Sequence, residues 1–352
     1  MRPSEVVMKN DKRVKKKILV TLDIGTSNIK VVVGKRQGGK IIVKEMIAVQ
    51  TPEKCLSNGY IRDLNAIKEV LSKIVHDYKL KGKYTVVTIK SSGIINRELS
   101  LPYNDDLSAL DRIIHYEMKQ FLTIKLDEYV TQYQIIDEYY DEKVKMMKVL
   151  VTAVNRELVD TYYNLLKSLH LKPYALDVHF NSINKFFRLY NDNVVAMENT
   201  VAVIDIGYNS SDISIISGGT FNMSRTIMLG SNSMEHMLKE EFNVDFENGQ
   251  IRRLIIKDGE QFSHRINDVL TPLVDEISNV IRYHLSRDSS NSVDNIYITG
   301  GIINQPEIKD LLIERLDLPT FEFESLENII TNTPITTDVA SYFPVLGAMV
   351  RL

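Results

Sequence analysis

Residues Val20–Gly34 read VTLDIGTSNIKVVVG, and residues Thr200–Gly219 read TVAVIDIGYNSSDISIISGG. Each begins as an apolar, β-branched run, closes it on Asp-Ile-Gly, passes through small polar residues and resumes as a second apolar run. The pattern predicts a strand, a tight turn and a second strand, twice over. Asp23 and Asp205 hold equivalent places at the ends of the first strands. A repeat of such long period, seen twice, marks a duplicated domain core and not a solenoid, whose units are far shorter.

Outward from the first copy, KIIVKEMIAVQ reads as a third strand, set off by the hairpin punctuation QGGK. LNAIKEVLSKIVHDYKL then places Ile67, Val70, Leu71, Ile74 and Val75 at helical spacing, and YTVVTIKS returns to strand, giving the order β-β-β-α-β. From about Gly93 to Lys172 a small mixed unit intervenes. It holds the helix-like SALDRIIHYEMKQFL, two strands in EYVTQYQIIDEYY and KVKMMKVLVTAVN, and a helix from Arg156 to His170 with Asn155 as its N-cap. A connecting helix is expected around ALDVHFNSINKFF. After the second copy come the helix-like SNSMEHMLKEEFN, a polar helical stretch near Asn248 to Ile256, and the long helix DVLTPLVDEISNVIRYHLSRD. NIYITGGIINQPEIKDLLIERL then reads as strand, Gly300-Gly301 and a helix opening on Pro306, whose missing N–H suits a first turn.

At 352 residues the chain has room for two lobes, and 44% hydrophobic and 25% charged residues with a net charge of -3 describe an ordinary globular protein. That balance implies no nucleic-acid partner. The single cysteine, Cys55, excludes an internal disulfide or a cysteine-based zinc site and suits a reducing cytoplasm. Residues 1–17 carry seven Lys or Arg, a basic tail read as solvated; ILVTLDIG after them is too short for a secretory signal, and no apolar run is long enough to cross a bilayer.

The chemistry suited to the repeated turn is that of phosphate. Backbone amides of a tight glycine turn can converge on an anion, and Thr26 and Ser27 add hydroxyls. Asp23 and Asp205 would repel bare phosphate, but Mg2+ held by them, directly or through its waters, makes the two compatible. Lys30, on the second strand, is placed to send an ammonium toward a β- or γ-phosphate; Asp212 stands near that place in the second copy, so the turns are not equivalent. One Asp-Ile-Gly alone would read as a hairpin turn, since both residues favour turns without binding anything. Two copies followed by a strand-Gly-Gly-helix element favour binding. Neither G-x-x-x-x-G-K-[ST] nor a G-x-G-x-x-G after the first strand is present. His76, His115, His170, His236, His264 and His284 show no ligand spacing for a transition metal.

These motifs resemble the actin-like ATPases shared by actin, Hsp70 and the sugar kinases. LDIGTSNIKVVVG is similar to their first phosphate loop, VIDIGYNSSDISII to the second and IYITGGIINQPEI to the adenosine loop. Within that superfamily, ALDVHFNSINKFF and FPVLGAMVRL extend the resemblance to the PilM family of type IV pilus assembly proteins, in the FtsA/PilM branch. The implied fold is α/β: two duplicated lobes with mixed five-stranded sheets flanked by helices, plus a small α+β subdomain inserted in the first. The implied division is a basic tail at 1–17, a first lobe at 18–92 and 173–198, the insert at 93–172, a second-lobe core at 199–230 and 294–352, and its small helical part at 231–293.

By the same resemblance, ATP or ADP with Mg2+ is bound by Asp23, Gly25, Thr26, Ser27 and Lys30 from one side and Asp205, Gly207, Asn209 and Ser210 from the other. Gly300, Gly301 and Ile302 flank the nucleotide, Gln250 and Arg253 stand where relatives grip ribose and base, and Asp23 and Asp205 hold the metal through water. Asp177 and His179 occupy the place of a water-activating group, with His179 standing where an acid is expected. The resemblance further implies a weak ATPase at most. It implies docking of the N-terminal peptide of a PilN-type inner-membrane protein, contact with other assembly proteins including the assembly ATPase, and membrane contact only through the partner. An FtsA-like filament former and a small-molecule kinase are the alternatives.

Overall fold

The computed structural model describes residues 17–121, 125–190, 199–242, 259–301, 306–322, 329–331 and 339–350. Three strands, β1 (Leu19–Ile24), β2 (Asn28–Gln37) and β3 (Lys40–Gln50), form an antiparallel meander. A small hairpin of β4 (Leu56–Ser57) and β5 (Tyr60–Ile61) leads into α1 (Leu64–Asp77). Asp63 caps that helix by accepting from the Ala66 amide, and Ile67, Leu71, Ile74 and Val75 bury its apolar stripe. The chain then enters β6 (Tyr84–Ile89), parallel to β1.

The insert comprises β7 (Ile95–Pro102), α2 (Leu107–Phe121), β8 (Tyr129–Asp141) and β9 (Val144–Asn155), with β9 central in an antiparallel sheet. Alternation along β9 serves two cores. Met147, Val149, Val151 and Ala153 face Leu110, Ile114 and Met118 of α2, while Leu150 and Val154 turn toward the first lobe. Helix α3 (Arg156–Ser168), capped by Asn155 as its sequence predicts, also packs Leu158, Tyr162, Leu165 and Leu166 on the first-lobe core. The separate core of the insert is thus smaller than the stretch 93–172. After it, β10 (Lys172–Val178) pairs with β6, and α4 (His179–Tyr190) leads away.

The second copy repeats the plan: β11 (Thr200–Ile206), β12 (Ser211–Ser217), β13 (Thr220–Ile227), α5 (Ser231–Phe242), α6 (Gly259–Arg287), β14 (Asn295–Gly300), α7 (Pro306–Leu316) and β15 (Thr320–Glu322). Its sheet order, β13-β12-β11-β14-β15, mirrors β3-β2-β1-β6-β10 of the first. β11 is buried at every position, as a central strand covered on both faces must be. The first sheet has six strands and not five, because β16 (Ile329–Thr331) adds a short parallel strand beyond β3. Helix α6 starts before the expected Asp268 and runs through Pro272, since buried Val269, Leu270, Leu273, Val274, Ile277 and Ile281 supply a stripe that outweighs one lost backbone bond.

The last helix, α8 (Phe343–Met349), is buried throughout and crosses α4 between the lobes. Phe186 stacks on Phe343 at 4.3 Å, and one hydrophobic cluster joins Val32, Ile41 and Val43 of the first sheet to most of the second-lobe core through these helices. The helix expected near Asn248 to Ile256 lies outside the described residues, as do most of the basic tail and the site residues Gln250, Arg253 and Ile302.

Candidate functional site

The duplicated sheets place the two acids alike. Asp23 pairs across β1–β2 with Lys30 and registers on its other side with Thr88; Asp205 pairs across β11–β12 with Asp212 and registers with Thr299. Both turns close the same way: the Gly25 N–H donates to the Asn28 carbonyl and the Gly207 N–H to the Ser210 carbonyl, each at 3.1 Å. A Cβ at Gly25 or Gly207 would lie 2.9 or 2.8 Å from those same oxygens, so the turn excludes side chains there.

Other groups hold the remaining turn carbonyls. The Thr51 hydroxyl and amide donate to Gly25 and Ser27 (2.6 and 2.9 Å), while the Ser231 and Asn232 amides at the start of α5 donate to Gly207 and Tyr208 (3.0 and 2.8 Å). The Thr26, Ser27 and Asn209 amides have no backbone acceptor among the described residues. Bound carbonyls with unspent amides are the disposition an anion requires. Ser27 Oγ accepts from Asn28, and Asn209 Oδ1 from Asn232, both at 3.1 Å.

Gly300 and Gly301 divide their work. Gly300 has φ +108°, and a Cβ there would sit 2.3 Å from the Ile206 carbonyl, so this glycine lets β14 press against β11. The Gly301 N–H donates to that carbonyl at 3.1 Å, and a Cβ on Gly301 would meet only open space. Room for another molecule to approach the backbone is thus left at Gly301 and not at Gly300.

Lys30 is not aimed where its spacing suggests. Its ammonium donates to the Ser341 carbonyl at 2.6 Å and lies over the Tyr342 ring. The cation among the acids is Lys90, just beyond β6, which the sequence reading did not single out. Its Nζ lies 3.0 Å from the Ser210 carbonyl, 3.1 Å from Asp212 Oδ2 and 3.6 Å from Asp205 Oδ2. The signal was present in YTVVTIKS: β1 and β6 register Asp23 with Thr88, which puts Lys90 past the same sheet end as the acid. In the duplicated plan Lys90 corresponds to Gly301, because Thr88 corresponds to Thr299.

His179, the first residue of α4, is buried between the same carboxylates, Nε2 3.6 Å from Asp205 and Nδ1 3.1 Å from Asp212. The latter is an ion-pair contact and not an aligned hydrogen bond. Thr226 donates to the other Asp212 oxygen at 2.5 Å. Burial opposes the Lys90 charge, but Asp212, Asp205 and Asp23 outweigh it and hold the ammonium above its ordinary value. Burial likewise opposes ionisation of Asp212, yet Lys90, His179 and Thr226 hold its carboxyl well below the usual range. For His179, burial is outweighed by Asp212 and Asp205, and the imidazolium is favoured beyond its ordinary 6.5.

Asp177 is not in this cluster. It is buried with Oδ1 accepting from Asn181 (2.7 Å) and Oδ2 paired with Lys185, both on the first turns of α4. Asp23 accepts from Thr88 at 3.2 Å. Ligand atoms of His179, Asp205 and Asp212 lie within 4.8 Å of one another, a spacing a metal can use. The donor set does not fit Mg2+ all the same, because the Asp205 and Asp212 oxygens that face inward already hold the Lys90 ammonium.

Twin lobes of three antiparallel strands followed by helix and parallel strand, acid-glycine turns at the ends of their central strands and a third glycine element beside them define the actin-like ATPase fold. Solved structures agree. A chain of a "PilM-PilN type IV pilus biogenesis complex" matches with a TM-score of 0.77 at 18% identity, over 94% of this chain and 97% of that one. The ethanolamine utilization protein EutJ of Carboxydothermus hydrogenoformans matches at 0.55 and 12% identity over 95% and 89%. MreB5 of Spiroplasma citri, bound to AMPPNP, matches at 0.53 and 14% over 94% and 95%.

The family model of the type IV pilus assembly protein PilM matches residues 21–347, and the chain belongs to that family.

Proposed function

We propose that this chain is a cytoplasmic, nucleotide-binding adaptor of type IV pilus assembly that docks the N-terminal peptide of a PilN-type inner-membrane protein. The observation that carries the nucleotide is the pair of matched turns, Gly25 to Asn28 and Gly207 to Ser210, with unspent amides beside the open face of Gly301. MreB5 of the same fold is bound to AMPPNP or ADP, which favours an adenine nucleotide, ATP or ADP, here. Slow or absent hydrolysis is part of this reading, supported by the partners the cleft acids already have: Asp23 accepts from Thr88, Asp205 and Asp212 are paired with Lys90 and His179, and the carboxylates favour the charged form of His179, which makes it a poorer proton acceptor. The same pairing leaves a kinase-type base without a candidate among the described cleft residues.

Membership of the PilM family and the fold shared with a chain of the PilM-PilN complex support the partner. Exposed Leu107, Tyr116 and Tyr140 on the insert are of the kind that anchor a protein segment, and the assembly ATPase is a further partner in this reading. No helix among the described residues is long and apolar enough to cross a membrane, consistent with attachment through the partner. Pull-down with a PilN-type N-terminal peptide, with and without ATP, tests the adaptor role; absence of capture in both conditions refutes it. ATP titration of the wild type and the Asp23→Ala variant tests the cleft, and equal affinities would remove the site assignment.

A further inference from the structure

The cleft proposed for a nucleotide gathers Asp23, Asp205 and Asp212 around the Lys90 ammonium, which crosses from the first lobe to the second with His179 beside it. We propose that the Lys90 ammonium is the resident cation of this cleft, standing where a divalent metal would join Asp205 to Asp212, so that nucleotide binding does not depend on Mg2+. The inference rests on the nucleotide reading for its ligand and on the Lys90 geometry for its substance.

Three observations carry it. The ammonium donates to the Ser210 carbonyl at 3.0 Å and is ion-paired with one oxygen each of Asp212 and Asp205, at 3.1 and 3.6 Å. Asp205 and Asp212 stand directly opposite each other across β11–β12, a like-charge pair that is destabilising unless a cation balances it. Lys90 is only 19% exposed, and it occupies the place that the duplicated plan gives to Gly301 in the other lobe, so the cation is built into one lobe only. Mg2+ demands an octahedral oxygen shell at about 2.0–2.1 Å, and bringing it to these oxygens sets a divalent charge against a fixed ammonium. Through Ser210, Lys90 also grips the second phosphate turn directly, which ties the cation to the ligand-binding loop.

Calorimetric titration of ATP into the full chain, once with Mg2+ and once with EDTA, tests the proposal. The wild type and Lys90→Arg are expected to change affinity by less than about threefold between the two, while Lys90→Met becomes Mg2+-dependent by about tenfold or more. A wild-type affinity that falls by about tenfold or more in EDTA overturns the proposal. Thermal unfolding with Mn2+ alone gives an arm free of nucleotide: Lys90→Met should be stabilised by Mn2+ where the wild type is not, and the gain should vanish in Lys90→Met with Asp212→Asn. Absence of a Mn2+ gain in Lys90→Met refutes the proposal even if ATP binds under neither condition, an outcome that by itself sinks only the nucleotide reading. Should Lys90→Met fail to fold, Lys90→Gln takes its place in both arms, and the wild-type EDTA comparison stands unaided.

Discussion

Gly347→Ala should loosen the joint between the lobes. Gly347 lies in α8 where that helix crosses α4, and a Cβ built there would sit 1.8 Å from the Ser182 carbonyl oxygen, 2.6 Å from its carbon and 3.1 Å from Phe186 Cβ. The nearest atoms belong to backbone, so no rotamer change relieves the clash. To reach an ordinary 3.4 Å contact the helices must part by about 1.6 Å. A gap of even 0.5–1 Å forfeits about a quarter to a half of the dispersion well of each contact it opens. Ile183, Phe186 and Phe187 of α4 and Phe343, Val345 and Leu346 of α8 all sit in the affected cluster. Overpacking costs typically about 1–3 kcal/mol, and a clash with backbone belongs at or above the top of that range. A cost of about 3 kcal/mol corresponds to a fall in Tm of roughly 6–12 °C at the slope of large domains. Circular-dichroism melts of the wild type and Gly347→Ala measure it, with Gly301→Ala as a control whose Cβ meets nothing within 4 Å. A Tm for Gly347→Ala within about 1 °C of wild type, at a scale of about 2–4 °C per kcal/mol, would refute the close crossing of these helices.

Lys185→Met should remove the ion pair of the buried Asp177 carboxylate, at about 3–5 kcal/mol, and Asp177→Asn in the same chain should recover part of that loss in denaturant melts. Gly301→Ala should leave stability within about 0.5 kcal/mol of wild type while weakening ATP binding by about tenfold, whereas Gly300→Ala, strained at φ +108° and clashing with Ile206, should lose folded protein outright; soluble yield and calorimetry separate the two. His179 has its imidazolium favoured in the fold by Asp212 and Asp205 against burial and Lys90, so its contribution is complete below the ordinary 6.5 and is lost as pH rises through the elevated folded value. The stability difference between wild type and His179→Gln should therefore be larger at about pH 6 than at about pH 9, and a difference that grows with pH would show that His179 folds as the neutral ring.

The frame was legible because its causes are local. Alternating and continuous apolar runs set β1, β2, β11 and β12, and the Asn155 cap and Pro306 start fell where short-range chemistry requires them. The two Asp-Ile-Gly turns announced the duplication, and both close with one hydrogen-bond pattern. What the sequence concealed was produced by packing across long separations. β16 joins β3 from nearly three hundred residues away, and α6 runs through Pro272 because its buried stripe outweighs a local breaker.

The charges of the cleft show the same divide more sharply. Spacing along one strand pointed to Lys30, since cross-strand pairing with Asp23 is a local fact; where its ammonium ends depends on Ser341, 311 residues later. Lys90 lies 67 positions from Asp23 and 122 from Asp212, so only the parallel pairing of β6 with β1 and the closure of one lobe on the other bring it among the acids. Asp212 then ceases to be an anomaly. Its carboxylate stands opposite Asp205 where the first copy has Lys30, and that like-charge pair is tolerable because Lys90 and His179 come to it from the other lobe. The two turns are thus alike in backbone and different in charge: Asp23 stands across from Lys30, whose ammonium goes to the Ser341 carbonyl, while the acids of the second turn are ion-paired across the cleft. Removing the Lys90 charge should therefore unbalance the second turn and at the same time remove a polar contact between the lobes.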